Sequence, residues 1–390
     1  MVSVIYLQSL GGWLADRFGG KWLFGGSVLV SSVIALLTPA AARTHIVVLI
    51  IIRVLSGLGE GVMRPASHAM IARWSAPNYR SVVVSVIFVG VDVGVLVGMF
   101  VSGLLSDYSG WPSAFYVFGV VGCVWSGAWF FLCYNSPSSH PRISTDERRY
   151  WESVIGPTDS AAHPPTPWRA IFTSVPVWAL AVAFFANNWG YYTLATCLPL
   201  FMHDVLGFAM ARNGAFSAIP FLGSSVVLLV GGFLADWLRF PGRLSTNVVR
   251  KSFCVVGLSV TGAFLILTGY ISCDRAVAVA TMFVAAAGSA VAFTCAGVNQ
   301  LDLAPLHAGK LMGLTYSVAS LALVGAPHAA GVLTSRQSTR SQWQNVFFLA
   351  AAIQFLGAVV YVLFGSGQRQ RWADDTDPDQ LRDRTLDRNK

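Results

Sequence analysis

Eleven apolar runs decide what this chain can fold into. They lie at residues 2–14, 22–42, 46–70, 81–105, 113–133, 176–201, 214–237, 252–271, 276–300, 311–333 and 344–364. All but the first are about 20 residues long, the length of helix that crosses a ~30 Å hydrocarbon core. Lipid offers no partners to peptide groups, so such runs are read as helices unless a sheet closes into a barrel. The side chains agree, with 55% hydrophobic and only 11% charged, where a soluble domain carries about 25% charge. The predicted class is all-α transmembrane, with the lipid bilayer as surroundings.

The charges collect between the runs, and the basic ones choose a side. If the loop from Asp16 to Lys21 is cytoplasmic, that side holds Arg17, Lys21, Arg73, Arg80, Arg142, Arg148, Arg149, Arg169, Arg239, Arg243, Arg250, Lys251 and Lys310. The other side holds Arg43, Arg212, Arg275, Arg336 and Arg340. A surplus of Lys and Arg marks the cytoplasmic face, so the net charge of +8 reports orientation and not nucleic-acid binding. The six cysteines show no paired ligand spacing, which argues against a disulfide or zinc framework. The N-terminus lacks a basic region and a small-residue cleavage site, so its short apolar piece is not read as a signal peptide.

Residues 135–170 are polar and rich in proline, and they read as a cytoplasmic linker between helical bundles at 1–134 and 171–366. The stretch 367–390 alternates Asp with Arg and is expected to be a disordered cytoplasmic tail. The two bundles share a repeat. Gly11-Gly12-Trp13-Leu14-Ala15-Asp16 and Gly231-Gly232-Phe233-Leu234-Ala235-Asp236 each close a run, and an arginine follows within three residues. Duplicated halves are a known architecture of secondary transporters.

The first copy continues as Arg17-Phe18-Gly19-Gly20-Lys21, and it resembles the loop between the second and third helices of the major facilitator superfamily. Glycines there permit a tight turn and close helix approach, while Asp16, Arg17, Lys21 and Asp236 are candidates for a cytoplasmic gate built from charge pairs and helix-end dipoles. The resemblance implies a two-bundle fold with about eleven helices present of twelve. The first helix and the start of the second would precede Met1, so a longer protein is expected.

The most informative run is Arg53-Val54-Leu55-Ser56-Gly57-Leu58-Gly59-Glu60-Gly61-Val62-Met63-Arg64-Pro65. Charges inside a span are costly and mark pathways. At 100° per residue, Glu60 and Arg64 each fall about 20° from Arg53, on one face. Arg53 is the candidate anion receptor, because guanidinium matches carboxylate or phosphate with paired donors, and Glu60 is the candidate proton-coupling acid. The bland alternative is a buried charge network that holds helices together. Gly57 and Gly61 form a small-residue ridge for a neighbouring helix. The glycine run is no nucleotide loop, since it lies inside a span and not between a strand and a helix.

At these residues the chain resembles the organic anion transporters that include sialin, the vesicular glutamate carriers and the sodium-phosphate cotransporters. Further matches are Pro65 to Met70, Gly110 to Tyr116, Asn135 to Pro137, His140 to Ser144, Asn188 to Leu194, Leu198-Pro199, Asn299, Leu301 to Pro305 and Leu311 to Gly313. The resemblance implies alternating access and substrates such as sialic acid, acidic amino acids, urate or phosphate, with protons or sodium as the coupling ion and no cofactor. It assigns the charged pair to Arg53 and Glu60 and a cavity aromatic to Tyr192. Where the glutamate carriers have an arginine this chain has Asn187, which argues against vesicular glutamate transport. Arg64 stands where the family has an apolar or aromatic residue. Four positions after Glu60, it is expected either to neutralise that acid or to add an anion contact.

Other positions carry two readings each. Asp92, flanked by Gly90, Gly94 and Gly98 in a close-packing pattern, is a candidate proton or cation site. His68 is a proton relay or a hydrogen-bonded packing residue. Asn187, Asn188 and Tyr192 are substrate contacts or interhelical links. The expected protein is a monomeric secondary transporter of small organic anions in the plasma membrane or a lysosomal or vesicular membrane. The competing reading is a truncated, non-transporting relative with a binding or regulatory role. A drug or sugar carrier follows less well from the charges, and no nucleophile-base pair or metal cluster supports an enzyme.

Overall fold

The computed structural model describes residues 11–15, 17–76, 79–155, 166–197, 200–201, 210–239, 243–271, 275–335 and 339–374, which leaves Asp16 outside the described residues. The first bundle comprises α1 (Gly20–Thr44), α2 (Ile46–Gly61), α3 (Met63–Trp74), α4 (Arg80–Ser109) and α5 (Pro112–Leu132). The second comprises α6 (Val175–Tyr192), α7 (Met210–Arg239), α8 (Thr246–Tyr270), α9 (Arg275–Leu303), α10 (Ala308–Ala319), α11 (Leu321–Thr334) and α12 (Arg340–Phe364).

Among the described residues nine helices are long and apolar enough to cross a membrane, with α2 and α3 forming one and α10 and α11 another. The eleven expected runs differ from this at two places. Residues 11–15 are the described, helical remainder of the first run. Helix α6 has 18 residues, but its end carries Asn187, Asn188, Gly190, Tyr191 and Tyr192, which dilute its apolar character; it nevertheless packs inside the second bundle, against α10, α11 and α12.

Two runs expected as continuous are broken. The helix stops at Gly61 and restarts at Met63, and the span before α12 bends at Ser320 between α10 and α11. The linker holds a helix at Thr145–Ile155 and another at Trp168–Thr173. The start of the tail is docked where a loose segment was expected. Gly367 N donates to Asn247 Oδ1 at 2.9 Å and Gln370 N to the Leu303 carbonyl at 2.9 Å, and Arg371–Asp374 is helical; residues 375–390 lie outside the described residues.

The core belongs mainly to the second bundle, where Leu180, Phe184, Leu258, Leu301, Leu311, Met312 and Tyr361 are buried together. Apolar side chains there gain from burial inside the protein, while those on the outer faces of α4, α5 and α12 stay exposed, as helices bathed in lipid require. Among the described residues the spans of the first bundle are 11–28% buried against 44% for α7, α8, α9 and α12, so the first bundle is the more open of the two.

The repeat explains how the halves meet. Gly12 approaches α10 so closely that a Cβ would lie 2.5 Å from the Gly309 carbonyl carbon and from Lys310 Cα. The second copy does the same to the other half, where a Cβ on Gly232 would meet Ser85 Oγ of α4 at 2.5 Å. Each glycine pair thus lets a helix end of one half seat against the start of a helix in the other. Gly19 has φ 85° and its Cβ position is occupied by the Asn135 side chain at 2.6 Å, so both backbone and space require glycine. Asn135 Oδ1 accepts from Lys21 N at 2.9 Å and fixes this turn.

Candidate functional site

The halves touch along the part of the molecule that the basic loops assign to the cytoplasm. Helix α4 packs on α7 and α9, and α3 packs on α10. Asp236 lies at the centre of this seal. Its Oδ2 accepts from Val82 N in the first turn of α4 at 2.9 Å, and it pairs with Arg239 at 3.6 Å. A carboxylate there satisfies an otherwise unpartnered N–H and complements the positive end of the helix dipole. Arg250 donates to Asp302 at 2.7 Å and across to Ser81 at 2.8 Å, and Arg80 donates to the Leu301 carbonyl at 3.1 Å. His68 is buried, with Nε2 3.0 Å from the Gly297 carbonyl of α9 and its ring edge-on to Phe88. Of its two readings the geometry matches the hydrogen-bonded link.

The first-copy cations do otherwise than expected of a gate. Arg17 stacks on Trp13 and Phe18 of its own segment, and Lys21 lies over Trp22 and Tyr134. All four rings belong to the first half. The first copy meets the second half through the backbone approach of Gly12, while the second copy uses its acid.

Above the seal lies a cavity of about 90 Å³ lined by Arg64, Asp92, Asn187, Asn188, Tyr191, Tyr192, Ser224, Ser289 and Tyr316, with Phe88, Phe221 and Phe293 among its apolar walls. Arg64 lies ten residues from Trp74, about 15 Å along the axis, which is near the middle of a ~30 Å core. It is brought there by α3, after the break at Val62, and it meets the opposite half. Its Nη1 donates to Tyr316 Oη at 2.5 Å, and its Cζ lies 4.4 Å from the centre of the Tyr316 ring. Cation–π attraction and one hydrogen bond hold the group, and no carboxylate pairs with it among the described residues.

Asp92 enters from α4, 8% exposed, with Oδ2 accepting from Ser224 Oγ at 3.0 Å and Ser225 Oγ at 3.2 Å of α7. The glycines around it are not a packing ridge. A Cβ on Gly90, Gly94 or Gly98 would meet open space, because α4 contacts the other half through the Asp92 face. Asn187 accepts from Ser289 Oγ at 2.9 Å, linking α6 to α9, and Asn188 donates to the Phe184 carbonyl at 2.9 Å within its own helix. With Tyr192 both amides line the cavity.

Arg53 and Glu60 stand elsewhere. Both are exposed and neither lines the cavity. Arg53 lies 5.4 Å from the Phe115 ring of α5, and Glu60 Oε1 accepts from Ser56 Oγ at 3.0 Å. The reason is that α2 buries only Ser56, Gly57 and Gly61 among the described residues, and the second bundle does not close over it. Arg64 shares their stripe one turn further on, where α10 has closed in. It turns to Tyr316, and no ion pair joins it to Glu60. Sequence reasoning missed Tyr316, Tyr191 and the two serines. Their signals are polar groups in the middle of apolar runs, which one sequence does not tell apart from packing links.

Two helical halves sealed on one side below a charged mid-membrane cavity define a multi-pass membrane protein of the two-bundle type. Comparison with known proteins names its family: residues 1–244 match the Major Facilitator Superfamily, and the chain belongs to it. It is 38% identical to human sialin over 95% of this chain and 74% of that protein. It is also 38% identical to vesicular glutamate transporter 3 of Danio rerio over 95% of this chain, and it spans 63% of that relative's length. The solved structure of the proton:xylose symporter XylE shares the fold, with a TM-score of 0.75 at 14% identity, covering 94% of this chain and 85% of that one.

Proposed function

We propose that this chain is a secondary active carrier of small organic anions, working by alternating access and driven by a proton or sodium gradient. The observation that carries the reading is Arg64, a guanidinium at mid-membrane that lines the cavity with no carboxylate partner among the described residues. A half-buried cation without a counter-charge is costly, and an entering carboxylate or phosphate offsets that cost through charge-assisted hydrogen bonds. The role expected of Arg53 thus passes to Arg64, a residue of the same stripe. The relatives named for vesicular glutamate transport and sialin support the substrate class.

The same group links binding to movement. Arg64 belongs to the first half and Tyr316 to the second, so their bond helps to tie the halves together at the cavity wall. An anion that takes up the guanidinium's donors competes with Tyr316 and shifts the balance between closed and open seals, as far as its affinity differs between the two states. Uptake into proteoliposomes tests this. Labelled carboxylates and phosphate are supplied with and without proton or sodium gradients, and saturable uptake speeded by one gradient is expected. No saturable uptake of any member under any gradient would refute the reading.

A further inference from the structure

The cavity carries two charges of opposite sign, and they do not neutralise each other. Arg64 and Asp92 are the only guanidinium and carboxyl groups among its described lining residues, and no salt bridge joins them. Each is held by neutral groups instead: Arg64 by the Tyr316 hydroxyl and ring, and Asp92 by the two hydroxyls of Ser224 and Ser225. Both serine bonds fall on Oδ2. Oδ1 receives no hydrogen bond from a described residue, nor does any lysine, arginine or histidine among them pair with it. Tyr191 lines the same cavity.

We infer that the cavity selects amino acids of zero net charge, receiving the carboxylate at Arg64 and the ammonium at Asp92. The inference rests on the reading above for Arg64 as the carboxylate receptor, and it replaces a net-anionic substrate by a carboxylate that brings its own ammonium. Its physical basis is charge balance. A ligand with one negative and one positive end satisfies both isolated groups at once, whereas a simple monocarboxylate leaves Asp92 buried without a counter-charge, and a dianion adds an uncompensated charge to a low-dielectric site. Discrimination by such unpaired groups is large, because the wrong ligand leaves them desolvated. Asn187, Asn188 and Tyr192 line the space between with polar atoms.

The test uses the full chain in proteoliposomes and a matched panel: α-, β- and γ-amino monocarboxylates, the same acids without the amino group, and dicarboxylates. The panel members compete for uptake of the best-transported labelled amino acid. The wild type is expected to prefer an amino acid over its unaminated analogue by at least about tenfold, which corresponds to ~1.4 kcal/mol. Asp92→Asn, which keeps groups that can bond both serines, is expected to remove that preference while the unaminated acid still competes. Arg64→Gln is expected to lose both ligands.

Three results overturn the inference. The first is equal or better competition by unaminated acids or dicarboxylates in the wild type, a measurement that needs no variant to fold. The second is an unchanged amino preference in Asp92→Asn. The third is an Asp92→Asn protein that loses gradient dependence alone, which would make this carboxylate a coupling-ion site. In each case the anion reading stands if Arg64→Gln still loses carboxylates, and it falls with the inference if Arg64→Gln does not.

Discussion

Arg64 and Tyr316 sit on opposite halves of the molecule, and substitution separates what each contributes. Tyr316→Phe removes the hydroxyl that Arg64 donates to but keeps the ring 4.4 Å from the guanidinium. Because the anion competes with this hydroxyl for the guanidinium's donors, its loss is expected to raise carboxylate affinity, by at most about 1.5–3 kcal/mol. Tyr316→Leu removes the ring as well, and the lost cation–π contact, about 0.5–2 kcal/mol, is expected to leave the guanidinium less well held and to reverse part of that gain. Competition for labelled uptake reads both. At this scale the sequence was informative about position and silent about partner. Helical periodicity places Arg53, Glu60 and Arg64 on one stripe, but whether a stripe faces a cavity depends on which helix of the other half covers it. That distinction separates Arg64, covered by α10, from Arg53 and Glu60, which are not.

The seal is built from helix ends. Asp236 caps α4 through Val82 N, so Asp236→Ala should cost the closed state about 0.5–2 kcal/mol, the usual range for a lost cap, whereas Asp236→Asn, which still accepts, should cost less. A single cysteine placed at Ser85, beside Gly232, would report the change as faster labelling from the cytoplasmic side. Gly12→Val introduces a side chain where 2.5 Å separates a Cβ from Gly309 and Lys310. Overpacking of that kind costs about 1–3 kcal/mol, and it is expected to hold the seal open. The glycine pairs were legible as a repeat because they recur in sequence. The break at Val62 has a local cause in Gly61 and in Pro65, which has no N–H for the Gly61 carbonyl and whose ring crowds it; the bend at Ser320 has no proline at the break and was not legible.

Across the whole molecule, hydropathy alone gave the class and most of the span positions, since lipid leaves a chain of this composition few alternatives. What hydropathy does not carry is the pairing between halves, which joins residues as far apart as Arg64 and Tyr316 or Asp92 and Ser224. The charge network beneath the cavity is of the same kind. Arg250 is fully buried and pairs with Asp302, so Arg250→Met is expected to destabilise the protein, by less than the ~3–5 kcal/mol of a fully broken buried pair, because Asp302 keeps Arg239 at 3.8 Å; thermal unfolding in detergent measures it. The central claim is that one guanidinium at mid-membrane receives the transported anion, and its most direct test is carboxylate affinity in Arg64→Gln and Arg64→Lys, with folding checked by the same thermal assay. The account expects a loss of about 10- to 100-fold for Gln, the equivalent of ~1.5–3 kcal/mol, and partial retention for Lys, which keeps the charge but not the paired donors. A well-folded Arg64→Gln protein that binds and transports carboxylates like the wild type would contradict it.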